Sequence, residues 1–221
     1  MKVVSYCVYG TKPMYTVGMV KNLELCKKYY PGWEVFIYVS GSVPTDLLKE
    51  YNKYTNHIYL IKDTDRGFFM NYRYLPLSQE GVERAIFRDA DSRITEREVA
   101  AVEEWVKEDT DLHIMKDHPY HDGVPILGGA WGAKSTRLRN MKDIIFKYFS
   151  NNADRNVDQF MLRDEIYPLL KDSITIHDEF FAKKPFPLPC NDGNFIGLQF
   201  DENDNIIYPE HVDIWKANRL G

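Results

Sequence analysis

The amino-acid sequence predicts an α/β fold in which a mainly parallel central sheet is flanked by helices on both faces. Segments rich in β-branched and aromatic residues alternate with amphipathic helical segments at short intervals through the first two thirds of the 221 residues. Hydrophobic residues make up 44% and charged residues 28% of the chain, as in average globular proteins. No internal repeat or flexible linker interrupts the pattern. We therefore expect a single domain, residues 1–221, with an irregular C-terminal extension.

The elements before residue 116 follow from hydrophobic periodicity and from local stop signals. Apolar runs predict strands at residues 3–9, 34–39, 57–61, 85–87 and 112–115. Apolar residues at helical spacing predict helices at residues 13–30, 44–54 and, in an aromatic segment, 68–75. A capping box from Thr95 to Glu98 starts a further helix, whose apolar face carries Val99, Val102, Trp105 and Val106.

The pattern is weaker in the last third of the chain. Residues 125–133 are glycine-rich and predict a strand or a loop, and residues 135–149 predict a helix. Residues 157–170 are also helical in pattern, with a break at Pro168. The rest is rich in Pro, Phe, Asn and Asp and shows little periodicity, so we expect irregular structure there.

Composition and charge exclude several classes of protein. The net charge is −5 and the isoelectric point about 5.7, which argues against non-specific nucleic-acid binding. The longest apolar runs are far shorter than the roughly 20 residues that cross a bilayer. The three cysteines, Cys7, Cys26 and Cys190, form no C-x-x-C pair, so neither a disulfide framework nor structural zinc is expected. These features, with a strand-like rather than signal-like N-terminus, predict a cytoplasmic protein.

The strongest chemical feature is Asp89-Ala90-Asp91, which follows an apolar strand and precedes the capped helix. Carboxylates two residues apart at a strand end project to the same side. Mg²⁺ and Mn²⁺ take oxygen ligands and are commonly bound by one or two carboxylates together with phosphates of a substrate. The same spacing occurs at Asp63-Thr64-Asp65 and Asp109-Thr110-Asp111, where the polar surroundings predict solvated charge instead.

These residues resemble a known family. An apolar strand ending in Asp89-Ala90-Asp91, a glycine-rich segment with Trp131, and a later helix with Asp158-Gln159 occur in the order typical of nucleotide-sugar-dependent glycosyltransferases of the GT-A fold. The segments HIMKDHPYHD, PILGGAWGAK and FIGLQFDEND resemble a small group of these enzymes that includes a chlorella-virus glycosyltransferase implicated in capsid glycosylation. The resemblance covers about residues 3–211.

The resemblance implies a nucleotide-sugar half, about residues 1–115, and an acceptor half, about residues 116–221. In the first half, Asp89 and Asp91 would bind Mn²⁺ or Mg²⁺ against the diphosphate of a UDP- or GDP-sugar. The loop after the first strand would contact base and ribose through Tyr9, Gly10 and Thr11. Arg73 could reach the diphosphate, because guanidinium binds phosphate oxygens in pairs. Packing beneath the loop for Tyr9 and an ordinary surface role for Arg73 are equally open.

In the acceptor half, the resemblance implies that backbone at Gly128 and Gly129 approaches the sugar and that Trp131 forms an acceptor platform. Asp158 would face the reacting sugar, either accepting the proton of the acceptor hydroxyl or stabilising positive charge on the sugar. Burial in the core remains open for Trp131, and stabilisation of a helix N-terminus remains open for Asp158.

Histidines supply the remaining candidates. His177 or His211 could be a third metal ligand, as the family sometimes uses a C-terminal histidine, and we select His177. His118, in the segment DHPYHD, is assigned to hydrogen bonding with the acceptor. A structural, hydrogen-bonded role is the alternative for each of them.

The expected function is metal-dependent transfer of a hexose or deoxyhexose from a nucleotide diphosphate, with UDP-sugar as the preferred donor class, to a hydroxyl of a glycan or glycoprotein. The setting would be the cytoplasm, or the host cytoplasm for a viral protein. Two alternatives remain. A sugar-phosphate nucleotidyltransferase would need a glycine-rich basic loop after the first strand, and that loop has one glycine, Gly10. A non-catalytic sugar-binding module would use the aromatic residues. No motif of a kinase, esterase or dehydrogenase is present.

Overall fold

A seven-stranded sheet forms the centre of the molecule, in the order β3-β2-β1-β4-β6-β5-β7. The computed structural model describes residues 1–62, 66–150 and 157–219. Strand β6 runs antiparallel to its neighbours β4 and β5, and the other pairs are parallel. The strands are β1 (Lys2–Val8), β2 (Trp33–Ser40), β3 (His57–Ile61), β4 (Arg84–Arg88), β5 (Leu112–Lys116), β6 (Ala130–Lys134) and β7 (Ile174–Asp178).

Helices cover both faces of this sheet. They are α1 (Pro13–Tyr29), α2 (Thr45–Tyr51), α3 (Arg66–Phe69), α4 (Glu96–Glu108), α5 (Met141–Ser150), α6 (Val157–Met161), α7 (Tyr167–Leu170) and α8 (Pro209–Arg219). A 3₁₀ segment, Met70–Ser78, continues α3, a 3₁₀ turn, Pro119–His121, follows β5, and a π turn, Leu162–Ile166, joins α6 to α7. None of the helices in the described part of the chain is long and apolar enough to cross a membrane.

Two hydrophobic clusters, one on each face, explain why the central strands are apolar throughout. In β1, Val4 and Tyr6 pack with helices α1 and α4 on one face, while Val3 and Cys7 pack with the 3₁₀ segment and α5 on the other. A parallel strand buried on both faces has no polar side to present. The α/β fold with a mainly parallel sheet and flanking helices is therefore as predicted.

Two boundaries in the middle of the chain differ from prediction. Helix α5 begins at Met141 and not at residue 135, because Ser135 Oγ donates to the carbonyl of Val82 (2.6 Å) and its backbone N–H donates to Glu83 O (2.9 Å). The aromatic segment is helical as predicted, but after α3 it is a 3₁₀ helix that contains Pro76 and ends at Ser78 rather than at residue 75. The N-cap at Thr95 is confirmed, since its side chain accepts from Glu98 N–H.

Two C-terminal elements escaped prediction. Strand β7 and helix α8 lie where we expected irregular structure. Beyond β7, residues 179–208 contain turns and isolated bridges but no further strand of the sheet, so the irregular extension is confirmed for that part.

The strand directions determine where a site can form. Strands β1, β4, β5 and β7 are mutually parallel, so the turns after them lie at one edge of the sheet, which we call the carboxyl edge. The start of the antiparallel strand β6 lies at the same edge. Residues 9–12, 89–92, 117–122 and 125–129 therefore come together there. Open α/β sheets bind their ligands at this edge.

Candidate functional site

The Asp89–Ser92 turn, directly after β4, is positioned by helix α1. Asn22 Nδ2 donates to the carbonyl oxygens of Ala90 (3.1 Å) and Ser92 (2.9 Å). Gly18 lies inside the same helix, and a Cβ there would be 2.5 Å from Ala90 O. A glycine inside a helix costs about 1 kcal/mol relative to alanine, and the close approach of the turn explains its presence. Neither residue was singled out from the sequence, although a mid-helix glycine was a usable signal.

Asp91 is a buried carboxylate, 5% exposed, beside a second carboxylate. Gln199 Nε2 donates to its Oδ2 at 2.7 Å. Burial, and next the charge of Asp89, raise the pKa of Asp91 to about 6. Two adjacent carboxylates that disfavour each other's charge form a place where a cation is stabilising. Sequence reasoning missed Gln199, because nothing in an irregular segment links it to a residue 108 positions away.

Arg73 joins the acidic turn to helix α6. The guanidinium is buried; its Nη1 donates to Asp89 Oδ1, and its Nη2 donates to Asp158 Oδ2 at 3.2 Å. Asp158 Oδ1 also accepts from Gln159 N–H at 2.8 Å, as expected near a helix N-terminus. The structure thus brings together three of the residues selected from the sequence.

Gly128 and Gly129, just before β6, pack against this charged group. A Cβ at Gly129 would overlap the carboxylate of Asp89. A Cβ at Gly128 would lie 2.6 Å from Arg73 Nη2 and 2.8 Å from Asp158 Oδ2. The packing of side chains at the carboxyl edge therefore requires glycine at both positions, which is a tighter constraint than the close sugar approach expected from the sequence.

Tyr9 lines an open cavity whose other walls include both aspartates of the turn. Its ring lies 5.4 Å from that of Phe69, so it packs beneath the loop and also faces the cavity. Gly10 has φ +79°, which favours glycine, and its N–H donates to Ser42 Oγ at 3.0 Å. Thr11 is exposed. The cavity is lined by Cys7, Tyr9, Tyr15, Met70, Asp89, Ala90 and Asp91.

The prediction for Trp131 is wrong. This side chain lies in β6 and is fully buried, with its ring centroid 4.5 Å from that of Phe87 and 5.3 Å from that of Tyr74. A stacking platform needs an exposed ring face, and β6 is an internal strand whose side chains are covered by the helices on either side. Trp131 is a core residue.

The predictions for the two histidines are also wrong. His177, in β7, lies 2.9 Å from His113 and 3.8 Å from Glu104 of α4, with strands β5 and β6 between it and β4. Within the described ranges, no group of three His, Cys, Asp or Glu side chains could bind a metal. His118 is buried; its Nε2 donates to His211 O (2.9 Å) and its Nδ1 accepts from Tyr120 N–H (3.0 Å), so neither nitrogen is available to an acceptor.

The two other D-x-D sequences lie apart from this site. Asp109 ends helix α4, away from the carboxyl edge, and pairs with Arg84 (2.7 Å) and Lys134 (2.8 Å). Its side chain is largely exposed, as expected for solvated charge. Residues 63–65 lie outside the described residues.

The acidic pair fits a divalent cation of the Mg²⁺ or Mn²⁺ type. Asp91 is buried and oriented by Gln199, while the side chain of Asp89 is 44% exposed toward solvent. Hard cations of this kind accept one or two carboxylates and take their remaining ligands from water and substrate phosphates. The donor set therefore suits a cation that arrives with a phosphorylated ligand better than one enclosed by protein alone.

No protein-family model and no curated protein matches this chain. Among solved structures, a glycosyltransferase involved in the glycosylation of the major capsid of PBCV-1 matches with a TM-score of 0.55 and 15% identity, over 96% of this chain and 90% of that chain. The galactosyltransferase LgtC, in complex with donor and acceptor sugar analogs, matches with a TM-score of 0.53 and 10% identity, over 99% of this chain and 96% of that chain. The chain has the GT-A fold. The resemblance to GT-A glycosyltransferases is thereby confirmed at the level of the fold.

The same fold also occurs in a protein with different chemistry. A 4-diphosphocytidyl-2C-methyl-D-erythritol synthase from Anaerococcus prevotii DSM 20548 matches with a TM-score of 0.51 and 11% identity, over 100% of this chain and 99% of that chain. Since one fold serves more than one reaction, the function has to be inferred from the side chains at the carboxyl edge.

Proposed function

We propose that this chain is a metal-dependent glycosyltransferase that moves a sugar from a nucleotide diphosphate, with UDP-sugar as the preferred class, to a hydroxyl of a glycan or glycoprotein. The observation that carries the proposal is the grouping of Asp89, Asp91, Arg73 and Asp158 at the carboxyl edge. The fold shared with LgtC and the PBCV-1 glycosyltransferase supports the same reading.

The acidic pair supports donor binding. Asp89 and Asp91 would bind Mn²⁺ or Mg²⁺, which supplies positive charge to the departing diphosphate when bound. Burial and the charge of Asp89 raise the pKa of Asp91 to about 6, and a cation bound beside both carboxylates would favour their charged forms. Tyr9, Gly10 and Thr11, after β1, would contact base and ribose, with the Tyr9 ring facing the cavity that the two aspartates line.

Arg73 and Asp158 support the group-transfer step. Arg73 donates to both Asp89 and Asp158, so one guanidinium links the proposed donor-binding turn to α6. With a donor bound, the Arg73 guanidinium would lie close enough to the Asp89–Ser92 turn to donate a hydrogen bond to a phosphate oxygen. Asp158 would accept the proton of the acceptor hydroxyl in an inverting reaction, or stabilise positive charge on the sugar in a retaining one. Gly128 and Gly129 leave the space that both carboxylates occupy.

A thermal-shift experiment tests donor and metal binding together. UDP-, GDP- and CMP-sugars are added to the chain with and without Mn²⁺, and the same set is measured on Asp91→Ala. We expect stabilisation by a UDP-sugar that requires both the cation and Asp91, because a ligand that binds only the folded state raises Tm. Asp46→Ala is the matched control, since that aspartate is largely exposed in α2 and should leave the shift unchanged.

Chemistry is then measured as Mn²⁺-dependent release of UDP from the donor, in water and with added glycan. Release that disappears in Asp89→Ala supports the transferase. Stabilisation by the donor with no release under any condition would favour the sugar-binding module instead. No stabilisation by any nucleotide-sugar, with or without cation, would contradict the proposal.

A sugar-phosphate nucleotidyltransferase is the second candidate, favoured by the structural match to the synthase from Anaerococcus prevotii. Such an enzyme joins a nucleoside triphosphate to a phosphorylated substrate and releases pyrophosphate. The loop after β1, residues 9–13, offers one glycine and one lysine for a triphosphate, which is why we rank it second. Detection of pyrophosphate from UTP and a sugar phosphate, without UDP release from UDP-sugars, would reverse the order.

The three cysteines bear on the compartment. Cys7, Cys26 and Cys190 are all buried free thiols, and burial raises the pKa of Cys7 and of Cys26 to about 12, so neither is a reactive thiolate. Buried thiols of this kind suit a reducing setting. The cytoplasm, or the host cytoplasm for a viral protein, is the compartment we propose.

A further inference from the structure

We infer that two exposed rings, Tyr120 and Tyr208, together with the half-buried ring of His211, form the carbohydrate platform on which the acceptor sugar stacks; the inference rests on the proposed function. Tyr120 is 62% and Tyr208 is 42% exposed, among the most exposed aromatic side chains in the described ranges. His211 lies between them, with its ring 5.4 Å from Tyr120 in an edge contact and 5.2 Å from Tyr208 in a stacked one. We call these three residues the aromatic strip.

The strip is connected to the acidic turn through hydrogen bonds of the segment that precedes Tyr208. Ile207, immediately before Tyr208, donates its N–H to Gln199 O at 3.1 Å, and the side chain of Gln199 is the hydrogen-bond partner of Asp91. The next residue, Phe200, donates its N–H to Asp91 O at 2.8 Å. The same hairpin that orients Asp91 therefore also positions Tyr208.

The strip lies on the opposite side of the turn from the proposed nucleotide site. In the sheet, β4 lies between β1 and the β6-β5 pair, and Tyr120 follows β5 while Tyr9 follows β1. The turn with Asp89 and Asp91 comes from β4 and is therefore central. A donor whose base lies near Tyr9 and whose diphosphate lies at the turn would point its sugar toward the β5 side, where an acceptor has to bind.

The strip is held rigidly, as a binding surface requires. His118, buried beneath it, donates through Nε2 to His211 O (2.9 Å) and accepts through Nδ1 from Tyr120 N–H (3.0 Å). His211 N–H in turn donates to Tyr208 O at 3.1 Å. One buried imidazole thus connects the turn after β5 to the start of helix α8. The hydrogen-bonding capacity of His118 is used to position the platform rather than to contact the acceptor.

The chemistry of the three rings suits a sugar. A pyranose presents a C–H face that packs on a flat ring and a rim of hydroxyls that need hydrogen bonds. Tyrosine and histidine provide both, an apolar face and a polar atom at its edge. Exposed apolar surface next to a catalytic cleft ordinarily marks a binding site. The strip takes over the role that the sequence had assigned to Trp131.

Saturation-transfer NMR tests the strip directly. The probes are the methyl glycosides of glucose, galactose, mannose, xylose, fucose and N-acetylglucosamine, added to the full chain with UDP and Mg²⁺, a diamagnetic cation that leaves the NMR signals sharp. We expect at least one glycoside to receive saturation. Tyr120→Ala and Tyr208→Ala should each reduce that signal at least fivefold, because each removes one stacking face. Tyr120→Phe and Tyr208→Phe, which keep the face, should retain more than half of it.

The matched control is Tyr54→Ala, which removes a tyrosine near the start of β3, away from the carboxyl edge, and should leave the signal unchanged. For any acceptor that supports transfer, both alanine variants should raise the KM for the acceptor at least tenfold, whereas Tyr54→Ala should leave that KM within twofold. Absence of saturation for all six glycosides, or a signal that survives in both alanine variants, would overturn the inference.

The two proposals fail in different ways. Glycoside binding that depends on the strip, without any stabilisation by nucleotide-sugars, would contradict the proposed function but support a carbohydrate-binding site at the strip. Donor stabilisation that requires Mn²⁺ and Asp91, with glycoside signals insensitive to Tyr120 and Tyr208, would remove the strip alone.

Discussion

The Asp89–Ser92 turn and the C-terminal segment, residues 179–208, meet at the same edge of the sheet but are positioned by different interactions. The turn follows a regular buried strand and is fixed by packing on α1. The C-terminal segment contributes no strand to the sheet and depends on a buried ion pair. Arg97 Nε and Nη2 each donate to Asp117 at 3.0 Å, and Asp117 also accepts from Ile196 N–H at 3.1 Å.

This difference shows that local packing and long-range ion pairs leave different signals in the sequence. Strand periodicity and close packing arise from neighbours in the sequence, so they leave a local pattern. A buried charge network joins residues 20 and 79 positions apart and leaves none. The two regions also differ in the sign of their pH dependence. The acidic turn contains a carboxylate with a raised pKa, whereas His118 and His121, which pack on Phe195 of the C-terminal segment, have lowered pKa values.

The largest expected effect is a loss of stability on breaking the buried ion pair that holds the C-terminal segment. Arg97→Met leaves the fully buried Asp117 without its partner, and breaking one half of a buried ion pair costs about 3–5 kcal/mol. Urea unfolding should show this loss. The control is Lys49→Met, which breaks an exposed ion pair with Asp46 and should cost under about 1 kcal/mol. Equal losses in the two variants would show that the C-terminal region does not depend on the ion pair.

The next largest effect is at the acidic turn, where a substitution should increase the free energy of unfolding. Because the pKa of Asp91 is raised to about 6, the native state binds more protons than the unfolded state between about pH 4 and 6, and metal-free stability falls as pH rises through that window. Asp91→Asn stays neutral and can still accept from Gln199. At pH 7 in chelator it should be more stable than the parent chain, by at most about 3 kcal/mol.

Denaturant titrations at pH 4 and pH 7 measure this gain. The difference between the two chains should be small at pH 4, where Asp91 is protonated in the native state and carries no buried charge, and should grow toward pH 7. Mn²⁺ with a UDP-sugar should raise the stability of the parent chain and not that of the variant. A variant that is less stable at both pH values would show that Asp91 carries no electrostatic strain.

Much of the acidic site could be predicted from the sequence, because its residues are marked by local chemistry. Asp89 and Asp91 follow an apolar strand and precede a capping box, and Gly128 and Gly129 stand out as a pair. Arg73 and Asp158 were selected through the family resemblance, and the structure joins them through a single guanidinium. Their individual roles in binding and transfer remain predictions.

The rest could not be predicted, since it depends on the three-dimensional arrangement. Trp131 lies on an internal strand, which its glycine-rich surroundings do not reveal. His177 is placed in β7, a strand that was not predicted, and is directed to His113 rather than to the acidic turn. The contact between Gln199 and Asp91 spans 108 residues and leaves no local signal. Aromatic residues in the C-terminal segment could be counted in the sequence but not sorted into exposed and buried.

A smaller effect is the pH dependence of stability that arises from His121, in the turn after β5. Burial, and then the charges of His118 and Lys116, lower the pKa of His121 to about 3, and its Nδ1 accepts from Asp117 N–H at 3.0 Å. Between about pH 6.5 and 3 the unfolded state therefore binds a proton that the native state does not. Stability should fall as pH decreases, by up to about 1.4 kcal/mol per pH unit from this group.

His121→Asn keeps an acceptor for the Asp117 N–H and removes the titration. Its unfolding free energy should fall less steeply than that of the parent chain from pH 6.5 to 5, in urea titrations at half-unit steps. Parallel curves for the two chains would show that His121 does not titrate differently on folding. The Asp91→Asn variant offers the matching comparison, because it should alter the slope with the opposite sign.

The smallest expected effects distinguish the two glycines at the acidic site. Gly129→Ala places a methyl group against the carboxylate of Asp89, and Gly128→Ala places one against Arg73 and Asp158. Neither glycine has a positive φ, so both backbones accept alanine, and any loss in Tm comes from displacement of the side chains that each methyl group would overlap. Gly129→Ala should weaken Mn²⁺ binding in the presence of UDP three- to tenfold, roughly 1 kcal/mol, by calorimetry. Gly128→Ala should leave that affinity unchanged and reduce the rate of UDP release instead, because its methyl group meets Asp158 and not the cation ligands.

Equal effects of both substitutions on Mn²⁺ affinity would mean that Arg73 transmits the displacement across the site, so that the turn and α6 behave as one unit.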